Sequence, residues 1–296
     1  MANKERILLT GGSGFIGKNL LESPLALKYE VLAPRRAELD LMDEAAVAAY
    51  LGKNDISCVI HSACRPAHRN APGCGALYAN TRMFFNLASN SNRFGKMIVI
   101  GSGAAYDSRH YQPKMREEYF GAHVPEDEHG FSRYVCGRYI EKAGNIIDLR
   151  VFGIFGKHED YSIRFISNMI CKALFDLPLT MKQNRKFDYI WVNDLPPILE
   201  YFITHDAAHK AYNVTPDSSV ELLELARRVL AAAGKELPVK AALPGLGPEY
   251  SGDNSRLKGE IKNLSFTPPD KAIEGLWAWY SSVKGGLNSG LLRSDK

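Results

Sequence analysis

The first residues of the chain that could do chemistry form a glycine-rich loop near the N-terminus. The segment Thr10-Gly-Gly-Ser-Gly-Phe-Ile-Gly17 follows an apolar run, Arg6–Leu9, and opens an amphipathic segment, Phe15–Leu21. A glycine-rich turn between a strand and a helix aims backbone N–H groups and the helix N-terminus at an anion. The spacing therefore predicts a phosphate site built by Gly11, Gly14, Phe15, Ile16 and Gly17.

Two kinds of phosphate loop share this pattern. The segment Gly12–Lys18 matches most of the loop that cradles a nucleoside triphosphate, which continues with Ser or Thr to bind Mg²⁺. Here the next residue is Asn19, and the apolar Phe15 and Ile16 suit a helix that packs on a sheet. The sequence therefore favours a dinucleotide site, with a purely structural glycine turn as the remaining alternative.

Short apolar runs alternate with amphipathic segments through the first half of the chain. The predicted strands are Arg6–Leu9, Glu30–Ala33, Ser57–His61, Met97–Ile100 and Ile146–Val151. The predicted helices between them include Glu44–Leu51, Leu77–Ser91 and Phe131–Lys142. This alternation is typical of βαβ units, whose crossovers are right-handed and whose strands are parallel. We expect an α/β fold, a doubly wound parallel sheet of the Rossmann type.

After Val151 the pattern becomes less regular. It predicts helices at Ile163–Phe175, Leu195–Ile203, Val220–Ala233 and Pro269–Tyr280, and a polar strand at Arg185–Val192. We expect residues 1–155 and about 186–208 to form the dinucleotide-binding domain, and residues of about 156–185 and 209–296 to form a smaller α/β substrate-binding lobe. Such a lobe would lie over the carboxyl ends of the strands, where open α/β sheets bind their ligands.

Composition excludes several classes of protein. The chain has 296 residues, 45% of them hydrophobic and 24% charged, which describes a folded globular protein. The net charge of +4 includes no basic run of the kind that binds nucleic acid or acidic lipid. No apolar run approaches the roughly 20 residues that cross a bilayer. The N-terminus leads straight into a strand without a secretory segment, so we expect a cytoplasmic protein that binds neither nucleic acid nor membrane.

Cysteine and histidine spacing gives no sign of a metal site. The five cysteines are an odd number and none are paired as Cys-x-x-Cys, which favours free thiols in a reducing compartment. His205 and His209 have the spacing of a helical zinc pair, but Asp206 stands where a zinc protease has Glu and no third ligand is evident. We therefore expect no bound metal.

Several segments together resemble the extended short-chain dehydrogenase/reductase family of nucleotide-sugar epimerases, dehydratases and reductases. The likeness runs in order through nearly the whole chain. The matching segments are Gly11–Gly17, Val59–Ala63, Asn80, Gly101–Tyr106 and Asp188–Asp194. The stretch from Arg36 through Glu38–Leu41 is similar to the GDP-fucose synthase group of that family. The resemblance implies a nicotinamide cofactor and a nucleotide-sugar substrate.

The residues after the second predicted strand indicate which nicotinamide cofactor is bound. An NAD site has an acidic side chain there for the ribose 2′-hydroxyl, whereas an NADP site has an arginine for the 2′-phosphate. Here the strand runs into Pro34-Arg35-Arg36, and no acid appears before Glu38. We predict NADP(H), with NAD(H) as the alternative if Arg35 and Arg36 are an ordinary solvated pair. The resemblance implies further cofactor contacts from Asp40, Leu41, Ser62, Ala63, Asn80 and Arg133.

The resembled family performs its chemistry with a Ser or Thr after the fourth strand and a Tyr-x-x-x-Lys on the next helix. Ser102 matches the first position, but the pair is replaced by His129 and Arg133. An imidazole, with a pKa near ~6.5, can move a proton at neutral pH without help from a lysine. Arginine keeps its charge and can bind ribose hydroxyls, but it does not relay protons. A second register, Tyr134 with Arg138, restores the phenol on a different face of the helix.

A further departure concerns the substrate. Where the family often has an Asn after the fifth strand, this chain has Gly153, which offers no side-chain donor. We therefore expect the substrate to be held by Tyr106 and by basic side chains suited to a diphosphate. The basic candidates are Arg164, Lys182, Arg185 and Arg256.

These observations predict an NADP(H)-dependent nucleotide-sugar oxidoreductase, a 4-keto-sugar reductase or an epimerase. The reaction would move a hydride between the nicotinamide and a sugar carbon, with Ser102 polarising the oxygen, His129 as acid/base and Arg133 on the ribose. The alternative is a member that binds NAD(P)(H) as a structural or regulatory ligand, its chemistry eroded at positions 129 and 133. The resemblance also implies a homodimer through helices 77–91 and 131–142.

Overall fold

The computed structural model describes residues 4–66 and 75–292 of the chain. Its strands are β1 Arg6–Thr10, β2 Glu30–Leu32, β3 Ile56–His61, β4 Phe94–Ser102, β5 Ile146–Val151, β6 Ile154–Phe155, β7 Leu179–Asn184, β8 Lys186–Phe187, β9 Ile190–Trp191, β10 Ala211–Val214, β11 Val220–Glu221 and β12 Val239–Leu246. Its α-helices are α1 Phe15–Leu21, α2 Pro24–Lys28, α3 Glu44–Lys53, α4 Ala76–Ala88, α5 Glu128–Ile140, α6 Phe165–Leu174, α7 Leu195–Thr204, α8 Leu222–Ala233, α9 Ser255–Glu260 and α10 Pro269–Ser282.

Six of the strands in the described residues form one parallel sheet, in the order β2-β1-β3-β4-β5-β10. The chain leaves β1 for the edge strand β2 and then crosses to β3 on the other side of β1. This reversal creates a crevice at the carboxyl ends of β1 and β3, which is where open α/β sheets bind their ligands. The predicted doubly wound α/β fold is confirmed.

The strands read as apolar runs because both faces of the sheet are buried. Successive strand residues point to opposite faces, so neighbours along β1 enter different cores. Ile7 and Leu9 pack with α1, α2, α7 and α9, whereas Leu8 packs with α3, α4 and α5. The five strands predicted in the first half of the chain are all present in the sheet.

The lobe has a core of its own. It is formed by α6, α8 and α10 around β7, with Ile170, Leu225 and Ile273 at its centre. In this lobe β12 pairs with β7 in parallel, and β8 pairs with β11 antiparallel. Among the described helices, none is long and apolar enough to cross a membrane.

The chain returns to the central sheet later than the expected boundary near residue 208. Strand β10 pairs with β5 at the sheet edge, and Leu257 of α9 packs into the core on the same side. The segment 209–296 therefore contributes to both halves of the molecule. In this position Tyr212 and Val214 extend the sheet and are fully buried.

The prediction of one strand over Arg185–Val192 is wrong. The segment forms two short strands that change partners, since β8 pairs with β11 and β9 pairs with β6. Asp188 lies between them, fully buried, and accepts hydrogen bonds from the Gly252 N–H at 2.8 Å and from the Thr215 hydroxyl. These bonds bend the chain at Asp188 and join it to both the sheet and the lobe.

The pairing of β6 with β9 also explains Gly153. The Ile190 N–H donates to the Gly153 carbonyl oxygen at 2.9 Å. A Cβ added at Gly153 would overlap the backbone carbonyl oxygen of Asp188, and it would lie 2.9 Å from the rings of Phe187 and Tyr189. A side chain cannot be accommodated there, so the absence of the family's Asn follows from local packing.

Candidate active site

The glycine loop is pressed against the end of β3. Gly11 has a φ of +74°, and a Cβ there would lie 2.7 Å from the Ala63 backbone nitrogen. A Cβ at Gly17 would overlap the Gly11 carbonyl oxygen. Gly14 precedes α1, and no side chain caps its first backbone N–H groups. The loop therefore brings a helix N-terminus to the crevice with donors available for a phosphate.

The side chains beneath the loop join β1 to β3. The Thr10 hydroxyl contacts Nδ1 of His61 at 2.9 Å and accepts a hydrogen bond from the Ala63 N–H at 3.3 Å. Burial, and then the charge of Arg133, lowers the pKa of His61 to about 3, so its ring is neutral. Ala63 is thereby held under the loop, where the sequence predicted a cofactor contact.

Asn80 supports the same edge from α4. Its side-chain oxygen accepts from the Arg65 N–H at 2.7 Å, and its Nδ2 donates to the Arg65 carbonyl at 3.1 Å. Both polar atoms of this buried amide are thus used on the backbone that continues from Ser62 and Ala63. Asn80 fixes the path of that backbone.

The charged residues after β2 lie at the surface around a turn. The Arg35 N–H donates to Glu38 Oε2 at 2.7 Å, so this acid closes the turn. Arg36 pairs with Asp40 at 3.4 Å, and its side chain remains 84% exposed. Asp40 also accepts from the Met42 N–H at 3.0 Å. Two exposed arginines therefore flank a turn whose carboxylates already have partners.

The turn that follows Ser102 contacts the first turn of α5, which carries His129. Ser102 ends β4, and its Oγ accepts from the Ala104 N–H at 3.1 Å. His129 lies half-buried in the first turn of α5, which Asp127 caps by accepting from the Gly130 N–H at 2.9 Å. A Cβ at Gly130 would lie 2.6 Å from the Ala104 carbonyl oxygen, so the two turns touch directly.

Arg133 lies one helical turn after His129 and faces the sheet. Its charge opposes protonation of His61. Burial raises the pKa of Asp148, and the Arg150 and Arg133 guanidinium groups oppose that rise. The Nε of Arg133 is buried without a hydrogen-bond partner in the described part of the chain. An unsatisfied buried donor of this kind suits a bound hydroxyl or anion.

The alternative register on α5 faces elsewhere. The Tyr134 ring packs against Phe120 and Phe131, with centroids 5.4 and 6.4 Å away. Arg138 pairs with Glu141 at 2.8 Å. The helical rotation between positions 133 and 134 accounts for the difference, because it turns Tyr134 away from β3.

The residues expected to bind substrate have different surroundings in the fold. Arg164 and Arg185 both act on Tyr189, whose pKa is raised by burial and lowered by these two charges. Tyr106 is buried instead, and its hydroxyl accepts from Arg150 and donates to Asn213. Arg256 bonds the Ala211 carbonyl and Glu118 beside β10. Contrary to expectation, Tyr106 and Arg256 make contacts internal to the fold.

Two positioning residues were missed from the sequence. Glu128 accepts from the Ala76 N–H at 2.9 Å and so ties the start of α5 to the start of α4. Asn19 donates to the Phe15 and Lys157 carbonyls, both at 2.8 Å, and joins α1 to the loop that leads into the lobe. No local signal marks either role, since Ala76 lies 52 residues from Glu128 and Lys157 lies 138 residues from Asn19.

Comparison with known proteins agrees with this architecture. The sequence profile of the NAD dependent epimerase/dehydratase family matches residues 7–215. UDP-glucose 4-epimerase of Bacillus subtilis (strain 168) is 25% identical, with 96% of this chain and 99% of that protein aligned. GDP-L-colitose synthase of Yersinia pseudotuberculosis is 33% identical over 106 residues, so this chain spans only 34% of that relative's length in the match.

A solved structure shows the same fold. The GDP-mannoheptose C4 reductase of Campylobacter jejuni, solved with NADP bound, superimposes with a TM-score of 0.81. It is 18% identical in sequence, and the superposition covers 95% of this chain and 99% of that one.

A buried carboxyl, that of Glu159, lies in the loop between β6 and α6. Glu159 is 7% exposed, and its Oε2 accepts from the Ser167 hydroxyl at 2.6 Å. Burial raises the pKa of Glu159 to about 8, although the Ser167 hydrogen bond and the Arg164 charge oppose this. The folded protein therefore holds a proton here that the unfolded chain would release.

We expect the stability contributed by the neutral Glu159 to be lost as pH rises from about 4.5 to about 8, because its pKa is raised on folding. The difference in unfolding free energy between the parent and Glu159→Gln should fall by about 1.4 kcal/mol per pH unit across that range. Denaturant titrations at several pH values measure it. The same substitution at the exposed Glu236 is the control, and an equal change of slope there would contradict the assignment.

Proposed function

The chain belongs to the NAD dependent epimerase/dehydratase family, and from that premise we propose that it transfers a hydride between NADP(H) and a sugar carbon of a nucleotide-sugar. The observation that carries the proposal is the contact of the Ala104 carbonyl oxygen with Gly130, which joins the turn after Ser102 to the first turn of α5, the helix that carries His129. Relatives named UDP-glucose 4-epimerase and GDP-L-colitose synthase support the substrate class. Reduction is favoured over epimerisation because the two arginines after β2 point to NADPH.

The residues present fit the cofactor. The glycine cradle excludes any Cβ at Gly11 and Gly17, the first N–H groups of α1 have no side-chain cap, and Arg133 Nε is an unpaired buried donor. The loop would hold the pyrophosphate and Arg133 would hold ribose hydroxyls. When bound, the cofactor supplies or accepts the hydride.

Ser102 and His129 would act on the sugar oxygen. Ser102 Oγ accepts from the Ala104 N–H, which leaves its own proton to donate to the reacting oxygen. His129 would give or take the proton that accompanies the hydride, a task open to imidazole near neutral pH. Arg133 stays charged and moves no proton. Arg164 and Arg185 would bind the substrate diphosphate.

We expect the purified protein to consume NADPH in the presence of a 4-keto nucleotide-sugar, followed by loss of absorbance of the reduced cofactor. Ser102→Ala and His129→Gln should each lower kcat by about 10²-fold or more, because each removes a group that acts on the reacting oxygen. His205→Gln, at an exposed histidine after α7, is the matched control.

The alternative, a member that only binds the cofactor, makes the opposite prediction. It requires NADPH binding by calorimetry without turnover of any 4-keto nucleotide-sugar. It also requires activity to appear when His129→Tyr and Arg133→Lys are combined. Turnover by the parent excludes it.

The choice of NADP(H) over NAD(H) would rest on the exposed arginines after β2. Replacing both Arg35 and Arg36 by Ser should weaken NADPH binding by about 10- to 100-fold and leave NADH binding unchanged, because the lost contacts are to the 2′-phosphate. Calorimetric Kd values for the two cofactors measure this. Arg93→Ser, an exposed arginine before β4, serves as the control. Equal weakening of both cofactors would contradict the assignment.

We also propose a homodimer through the paired helices α4 and α5, the predicted segments 77–91 and 131–142. Phe85 and Tyr139 pack between these helices with ring centroids 5.3 Å apart. Tyr78 and Tyr139 leave 67% and 40% of their surface exposed. Exposed aromatic side chains on neighbouring helices favour an interface.

Light scattering with size exclusion should give a dimer for the parent and a monomer when Tyr78 and Tyr139 are both changed to Glu, since buried charges without partners disfavour association. Leu27→Glu, at a side chain 78% exposed on α2, should leave the dimer intact. A monomeric parent would remove the proposal.

A cytoplasmic location is proposed as well. Within the described residues, Cys58, Cys64, Cys136 and Cys171 are all free thiols. Free thiols of this number are typical of a reducing compartment. Cell fractionation tests the location directly.

A further inference from the structure

A buried polar network lies beneath the turn that follows Ser102. Asp148 and Arg150 stand two residues apart on β5 and therefore face the same side of the sheet. Arg150 Nε donates to Asp148 Oδ2 at 2.9 Å, and Nη1 donates to the Tyr106 hydroxyl at 3.0 Å. The guanidinium carbon lies 3.9 Å from the Phe120 ring centroid. Only 2% of Arg150 is exposed.

The other side of the network is held by β10. The Tyr106 hydroxyl donates to Asn213 Oδ1 at 2.8 Å. Asn213 Nδ2 in turn donates to the Met115 carbonyl at 2.9 Å, and the Asn213 N–H donates to Glu117 Oε1 at 2.8 Å. The Tyr106 hydroxyl is thus fixed between an arginine on β5 and an asparagine on β10. Burial raises its pKa to about 12, so it remains a neutral donor.

Burying this polar network costs more desolvation free energy than burying apolar side chains in the same space would. Buried ion pairs often contribute little net stability, because the charges lose their hydration. The strands around it are otherwise lined with aliphatic side chains, which fill the same space without that cost. The directional hydrogen bonds of this network restrict the geometry of the residues that they join. They do not add to the apolar surface that the fold buries.

The geometry that it restricts is that of the active site. Tyr106 ends the short turn Gly103–Ala105, and its N–H donates to the Gly103 carbonyl at 3.2 Å. Within the turn, the Ala104 N–H donates to Ser102 Oγ. The Ala104 carbonyl oxygen rests against Gly130, the residue after His129. The same turn therefore bonds Ser102 and contacts the helical turn that carries His129.

We propose that Tyr106 is a positioning residue, whose hydroxyl, held by Arg150 and Asn213, sets the Gly103–Ala105 turn and with it the placement of Ser102 relative to His129. The inference rests on the proposed function. Tyr106 acts through Ser102 and touches no substrate. This assigns the residue a different task from the substrate contact that the sequence predicted.

Tyr106→Phe tests the inference, because it removes the hydroxyl and keeps the ring. We expect kcat to fall by about 10- to 100-fold, the effect of a small displacement of reacting groups, while KM for the nucleotide-sugar and the Kd for NADPH change by less than about twofold. Tyr29→Phe is the matched control, since Tyr29 is also buried but its hydroxyl has no hydrogen-bond partner among the described residues. Its kcat should equal that of the parent.

A double mutant separates positioning from general support of the fold. If Tyr106 acts through Ser102, then Tyr106→Phe should lower kcat little further in a Ser102→Ala background. Additive losses would overturn the inference, as would an unchanged kcat in Tyr106→Phe alone. A loss of kcat accompanied by an equal loss of NADPH binding would also overturn it, because that pattern indicates a disrupted fold.

Hydrogen exchange gives a readout independent of turnover. Tyr106→Phe should speed exchange of the Gly103–Ala105 amides and leave those of the glycine loop unchanged. If the parent turns over no 4-keto nucleotide-sugar, the proposed function fails, and this exchange pattern alone decides the inference. Should Tyr106→Phe not fold, Asn213→Ser removes the acceptor of the same hydroxyl and should give the same local change. Unchanged exchange in a folded variant overturns the inference.

Discussion

The close approach of the glycine loop to the end of β3 is the constraint on which the rest of the site depends. The backbone at Gly11 lies so near Ala63 that no side chain fits between them, and Gly17 lies still nearer to the Gly11 carbonyl. This contact places the N-terminus of α1 over the crevice between β1 and β3. The buried Thr10 and His61 hold the two strand ends together from below, so the position of a bound pyrophosphate follows from the packing of backbone on backbone.

A group of polar side chains lies around β5 and β10, at the end of the sheet away from β2. Asp148 and Arg150 interrupt an otherwise apolar strand, and their partners come from the turn after β4 and from β10. Aliphatic packing tolerates small shifts, whereas hydrogen bonds lose strength quickly as their angles change. The molecule thus uses apolar contacts for burial and directional contacts where Ser102 and the start of α5 must meet.

The departures from the resembled family have separate physical consequences. Gly153 is imposed by the Asp188 carbonyl oxygen, which occupies the place of a side chain. In the proposed function, His129 and Arg133 would divide tasks that a tyrosine and lysine share, because an imidazole can move a proton near neutral pH without a cationic neighbour. Arg133 retains the positive charge beside the neutral His61. In that proposal, the replacement of the familiar pair would leave a proton carrier and a fixed cation in the site.

Periodicity and spacing determined a large part of this protein. The strands, the parallel sheet, the glycine loop and the arginines after β2 follow from the sequence alone, because each depends on residues that are close together in the chain. The split of the segment around Asp188 and the joining of β10 to the sheet were decided only by the tertiary structure. So was the inward turn of Tyr106, whose partners Arg150 and Asn213 lie 44 and 107 positions away. These partners come into contact only when the strands that carry them are assembled, so no local sequence pattern predicts the contact.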